Sequence, residues 1–139
     1  LRMMEEAGAS VHGRRVSCHG LDVFGFGGGL PTSARMPFEV EEDEMVAGLR
    51  SVGVRGGVMV THTPPRGFND TDRSGRHIGS EGLVRVVEEF RPRLVLSGHV
   101  HEARGEHRAD GTVFVNPGPA RGGRYAAVEV GQDIEVRLS

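Results

Sequence analysis

Gly57-Val58-Met59-Val60-Thr61-His62-Thr63-Pro64-Pro65 and Leu94-Val95-Leu96-Ser97-Gly98-His99-Val100-His101-Glu102 are the stretches whose reading decides the fold. Each opens as an unbroken apolar run, the pattern of a strand buried on both faces of a parallel sheet. The first stops at His62 before two prolines, which forbid further strand, and the second stops at Gly98-His99. Between them lies one helix. Ser80 is a good N-cap, Leu83, Val84, Val87 and Phe90 form its apolar face, and Arg91-Pro92 end it. Two strands flanking one helix are expected to be neighbours, joined by a right-handed crossover. Open α/β sheets place ligands at the C-terminal ends of such strands. His62, His99 and His101 are therefore expected to converge there, and neutral imidazole is a common ligand for Zn, Mn, Fe and Ni. In a regular strand, alternate residues face the same way, so both rings of His99-x-His101 can reach one cluster. Gly98 before them permits a sharp turn.

Working outward, Arg15–Cys18 and Leu21–Phe26 read as two strands around the turn His19-Gly20. Gly27-Gly28-Gly29 starts a loop through Pro31 and Pro37. The acidic run Glu39, Glu41, Glu42, Asp43, Glu44 leads into a helix of about three turns with Met45, Leu49 and Val52 at helical spacing. It is read as a solvated helix start. Toward the C-terminus, Ala103–His107 and Thr112–Val115 flank Asp110-Gly111, a strong hairpin signal. Asn116-Pro117-Gly118-Pro119 is a rigid loop, and Tyr125–Val130 with Ile134–Leu138 form a last hairpin. The order β-β-α-β-α-β followed by antiparallel strands predicts an α/β protein with a mixed sheet and helices packed on it.

At the other end, Leu1–Ala7 is helical, with Gly8 as C-cap. So short a helix does not stand alone. It is either a terminal helix docked on the sheet or the remnant of a longer upstream segment. Composition narrows the class. Glycine is 22 of 139 residues, against a usual share of about 7%, which suits a loop-rich α/β chain and not a helical one. All 17 basic residues are Arg. A net charge of -2 gives no signal for nucleic acid or an anionic membrane, and no apolar run approaches a membrane span. The single cysteine, Cys18, excludes an internal disulfide and fits a cytoplasmic setting.

His62-Thr63-Pro64-Pro65 and Gly98-His99-Val100-His101-Glu102 resemble the last two motifs of the calcineurin-like metallophosphoesterases. Gly25–Gly29, Pro37-Phe38-Glu39, Gly75–Ser80 and Asn116–Pro119 extend the resemblance, toward the Icc-related predicted phosphoesterases, in order along essentially the whole chain. The resemblance implies the C-terminal part of that family's four-layer sandwich. It also implies a metal-dependent hydrolase of phosphomonoesters or phosphodiesters, with two divalent ions per complete site (Mn, Fe, Zn or Ni). His62 and His99 would ligate one ion and His101 the other. The family's remaining ligands come from Asp-x-His, Gly-Asp and Gly-Asn motifs that this chain lacks. Residues 1–139 are therefore expected to be a single incomplete domain, inactive alone and prone to self-association through the surface that truncation exposes, with the strand 57–61 or 94–97, or the apolar face of a helix, left uncovered. The alternatives are a non-catalytic metal-binding or interaction domain, and a mononuclear zinc site built by all three histidines. The expected substrate is a phosphorylated small molecule.

Around that centre, His77 is read as a substrate contact, against a surface histidine or a local hydrogen bond. The Ser80 helix start is read as ordinary capping rather than a phosphate cradle, and Gly27–Gly29 as a turn. Asn116 either braces the site or caps its own turn, and Glu102 is either solvated or a partner to the ligands.

Overall fold

The computed structural model describes residues 2–32 and 37–139. The loop through Pro31 and Pro37 therefore falls partly outside the described residues. In order, the elements are α1 (Arg2–Glu6), β1 (Arg14–Cys18), β2 (Leu21–Phe26), α2 (Glu42–Val52), β3 (Val58–Thr61), α3 (Glu81–Phe90), β4 (Leu94–Leu96), β5 (Gly105–Ala109), β6 (Thr112–Asn116), β7 (Ala126–Val130) and β8 (Ile134–Leu138). Short 3-10 turns occupy His101–Ala103 and Ala120–Gly122.

Six strands form one mixed sheet in the order β1-β2-β3-β4-β6-β5. The central four run parallel, and β1 and β5 pair antiparallel at the two edges. Both edge hairpins turn on residues with positive φ: His19 (49°) and Gly20 (79°), Asp110 (49°) and Gly111 (82°). Two consecutive left-handed residues give the twist that joins antiparallel strands tightly.

The two helices share one face of the sheet. Met45, Val46 and Leu49 of α2 and Leu83 and Val86 of α3 pack on Phe24, Met59, Val95 and Phe114. Of the expected face, Leu83 is buried and Val87 and Phe90 pack partly buried on the same core; Val86, outside that pattern, joins Leu83 at its centre. The opposite face carries Val58, Leu94, Val113 and Val115, covered by β7–β8 through Ile134, Val128 and Val136. That hairpin is a separate two-stranded sheet. The layers are helix, sheet, hairpin.

One expectation fails here for the strands it named. β3 and β4 are not left as uncovered edges: each is paired on both sides, and the edges are β1 and β5. The antiparallel hairpins at each end supply the missing partners. β5 also starts two residues later than expected, because the 3-10 turn takes His101–Ala103.

α3 is anchored at its start by two side chains. Ser80 Oγ accepts from Leu83 N at 2.9 Å. The Glu42 carboxylate accepts from Gly82 N at 3.1 Å and from the Ser80 hydroxyl. Part of the acidic run is thus a cap for the next helix as well as the start of its own. A phosphate at this helix start would meet a carboxylate already in place, so the capping reading holds. The Ser80 hydrogen bond lowers the Glu42 carboxyl below its usual range, against a smaller opposing effect of burial.

Candidate metal centre

β3 and β4 end side by side, and the backbone stays joined just past them: Gly98 N donates to His62 O at 3.1 Å. This brings two rings together. His62 Nε2 and His99 Nδ1 lie 3.1 Å apart, with ring centroids 4.9 Å apart and planes at 69°. Burial lowers the His62 imidazole below the usual histidine range, and the neighbouring His99 and His101 lower it further. Burial likewise lowers His99, with His101 adding to it. Both rings are thus held toward the neutral form that can ligate a metal.

The two histidines reach this position by different backbone routes. His62 follows its strand without a left-handed turn, and Thr61 Oγ1 donates to Thr63 O at 2.7 Å across it. His99 has φ 63°, and Val100 N donates to Gly98 O at 2.7 Å, closing a γ-turn centred on the histidine. A positive φ is costly for a residue with a Cβ, and such residues concentrate at functional sites. The sharp turn is therefore taken by His99 itself and not by Gly98. His101 then begins a 3-10 turn, so strand alternation is not what relates the two rings. His101 lies near enough to act electrostatically on both rings, but no set of three or more metal-binding side chains forms among the described residues.

Asn116, at the end of β6, secures the turn. It is fully buried; its Nδ2 donates to Val100 O at 2.8 Å and to Gly98 O at 3.4 Å, the two carbonyls flanking His99. Its Oδ1 accepts from Gly118 N at 2.9 Å. Asn116 thus braces the turn at His99 and also caps its own. Gly29 lies against the pair from the other side: a Cβ there would stand 3.7 Å from His62 and 4.0 Å from His99. The glycine run is thus a wall of the site as well as a turn. Glu102 pairs with Arg73 at 2.8 Å.

His77 sits elsewhere, in the loop between β3 and α3. Its Nδ1 donates to Asp70 Oδ1 at 2.7 Å, and Asp70 is 1% exposed. No periodicity marks Asp70 in the sequence. The available signal is an acid seven residues before a histidine within one closed loop.

The donor set fits a divalent metal in part. Two ligand nitrogens on one tetrahedral zinc at 2.0–2.1 Å stand about 3.3 Å apart, close to the observed 3.1 Å. A complete site needs further ligands, and a single ion held by all three histidines is not what this geometry offers.

Residues 9–138 match the family model for metallophosphoesterases of the calcineurin superfamily. The uncharacterized protein MJ1162 of Methanocaldococcus jannaschii is 30% identical over 109 residues, covering 71% of this chain and 49% of that protein. Metallophosphoesterase domain-containing protein 1 of Homo sapiens is 34% identical over 61 residues, 42% of this chain and 19% of that one. One solved crystal structure superimposes on 93% of the chain with a TM-score of 0.71 at 25% identity, the match taking in 52% of that chain. This chain therefore spans about half the length of MJ1162 and of that structure. No helix among the described residues is long and apolar enough to cross a membrane.

Proposed function

The chain belongs to the calcineurin superfamily of metallophosphoesterases, and from that premise we propose that it supplies the histidine part of a site that hydrolyses phosphomonoester or phosphodiester bonds. The observation that carries this is the His62–His99 pair, two imidazoles 3.1 Å apart at the ends of adjacent parallel strands, both shifted by burial toward the neutral form. His62 and His99 hold one divalent ion and His101 bears on a second, with Mn, Fe, Zn and Ni all suited to imidazole. When bound, the metals supply Lewis-acid activation of water and neutralise charge on the phosphoryl group. Asn116 fixes the direction of His99 by holding the carbonyls on either side of it. The carboxylate and amide ligands of the family's other motifs come from outside these 139 residues. The substrate is a phosphorylated small molecule.

The full-length gene product, assayed with an activated aryl phosphodiester, is expected to show Mn-dependent turnover that a chelator abolishes. Residues 1–139 alone are expected to show none and to bind metal weakly. Turnover by the 139-residue chain would overturn the division of the site. A gene product inert with all four metals would overturn the hydrolase reading, and would favour the second one, a non-catalytic metal-binding domain. That alternative draws on the lack of a three-ligand group among the described residues.

A further inference from the structure

The loop from Arg66 to Gly79 holds a buried charge that the metal centre does not use. Asp70 is 1% exposed, and its carboxylate accepts from His77 Nδ1 at 2.7 Å and from Gly79 N at 2.9 Å. A carboxylate removed from water is costly unless its oxygens are bonded. An asparagine oxygen would serve Gly79 N equally well. What the charge adds is directed at the ring. A carboxylate can only accept, so Nδ1 carries a hydrogen and Nε2 is the nitrogen left over. The His77 side chain is half exposed, and Nε2 has no protein partner among the described residues. The ring is thus fixed from behind by a buried group, with its other nitrogen presented outward.

The same loop is tied to both histidine-bearing strand ends. Ser80 N donates to Pro64 O at 2.9 Å, two residues beyond His62. On the other side, Asn69 Nδ2 donates to Ala103 O at 3.2 Å, and Arg73 pairs with Glu102 at 2.8 Å, both in the turn that His101 begins. Arg66 adds a cation at the His77 carbonyl. A protonated His77 donates from both nitrogens, one to Asp70 and one outward, which suits an anionic oxygen.

Resting on the phosphoesterase reading, we propose that His77 donates a hydrogen bond from Nε2 to an oxygen of the bound phosphate ester, and that Asp70 is the positioning residue that holds the ring for it. No bond is made or broken at His77: the contact binds and orients the substrate.

Inorganic phosphate, titrated into the zinc-loaded full-length gene product with labelled histidine, provides the test. The His77 ring nitrogen signals should shift saturably. A hydrogen bond to a charged group corresponds to about a tenfold to hundredfold change in affinity, so His77→Gln should weaken phosphate by about that factor and raise KM while largely sparing kcat. Asp70→Ala should do the same. Asp70→Asn, which keeps an acceptor for Gly79 but no charge, should fall between. If phosphate binds while the His77 signals stay still, or if His77→Gln leaves phosphate affinity and KM unchanged, this proposal is overturned and the phosphoesterase reading stands. If the gene product neither binds phosphate nor turns over substrate with any metal, both fail. Should Asp70→Ala not fold, His77→Gln at its half-exposed position decides the matter alone.

Discussion

His62 leaves β3 without a left-handed turn, with Pro64 and Pro65 stiffening the chain beyond it. His99 leaves β4 through a γ-turn at φ 63°, with Asn116 of β6 bonding the carbonyls on both sides of it. The two rings nonetheless meet at 3.1 Å. Equivalent ligand positions can thus be reached by locally stiff chain or by a strained residue held by a distant buried side chain. The first kind depends on its own neighbours in sequence. The second depends on the fold.

The largest effect expected is common to both ends. His99→Ala or His62→Ala in the full-length gene product should lower metal occupancy and metal-dependent hydrolysis by about 100-fold or more, since even loss of a ligand's supporting partner costs about 10–100-fold. Metal analysis alongside turnover checks it. Full activity in either variant would remove that ring from the site.

Asn116→Ala should then separate the two ends. It removes one donor each from Gly98 O and Val100 O, which keep Val100 N and Ala103 N, and takes the acceptor from Gly118 N, which typically costs about 1–3 kcal/mol of stability. It should also weaken metal binding about tenfold or more by releasing His99. Chemical denaturation and a metal titration report the two parts separately. A loss of stability with metal affinity intact would mean that Asn116 serves only its own turn at Gly118.

Glycine substitutions sharpen the contrast further. At 99 the left-handed conformation costs an L-residue roughly 1 kcal/mol that glycine does not incur, so His99→Gly should be more stable than His99→Ala by about that amount. At 62 the order should reverse, because glycine there only loosens the unfolded chain. Thermal unfolding of the four variants is enough, and the same order at both positions would erase the distinction.

The smallest effect concerns the cap of α3. The Glu42 carboxyl is lowered by its bond from Ser80, so its folded value lies below the ordinary 4.5. Such a group stabilises the fold fully above that ordinary value and loses the contribution as pH falls through the lowered one. Glu42→Gln should therefore cost up to about 1 kcal/mol at pH 7, the scale of a helix cap, and less at pH 3, below the ordinary value. An equal loss at both pH values would point to packing instead of charge.

Much of this was legible in the residues, for identifiable reasons. Asp110-Gly111 and the crossover around α3 declared themselves because turn chemistry and apolar periodicity are local. The spacing His99-x-His101 was read as strand alternation, and that failed because the backbone leaves the strand before His99. Nothing local announces a left-handed histidine whose support lies on β6. The uncovered-edge expectation failed for a related reason: which strand pairs with which depends on the whole sheet. Asp70 went unseen because its importance lies in burial, which loop closure creates and no pattern encodes. Glu42 is the same lesson in a helix, an acid whose partner belongs to another element.

Among the described residues, the hairpin β7–β8 is joined to the main sheet by no ladder bond. It is held by the apolar layer beneath it and by arginine side chains reaching its backbone: Arg93 to Gly131 and Gln132, Arg108 to Ile134, and Arg104 to Ser139. Units held by packing and side chains open more readily than strands laddered on both sides. Amide hydrogens of β7 and β8 should therefore exchange with solvent ahead of those in β3 and β4, as one cooperative flap. Its opening would wet one side of the sheet while leaving the strand ends that carry the histidines in register.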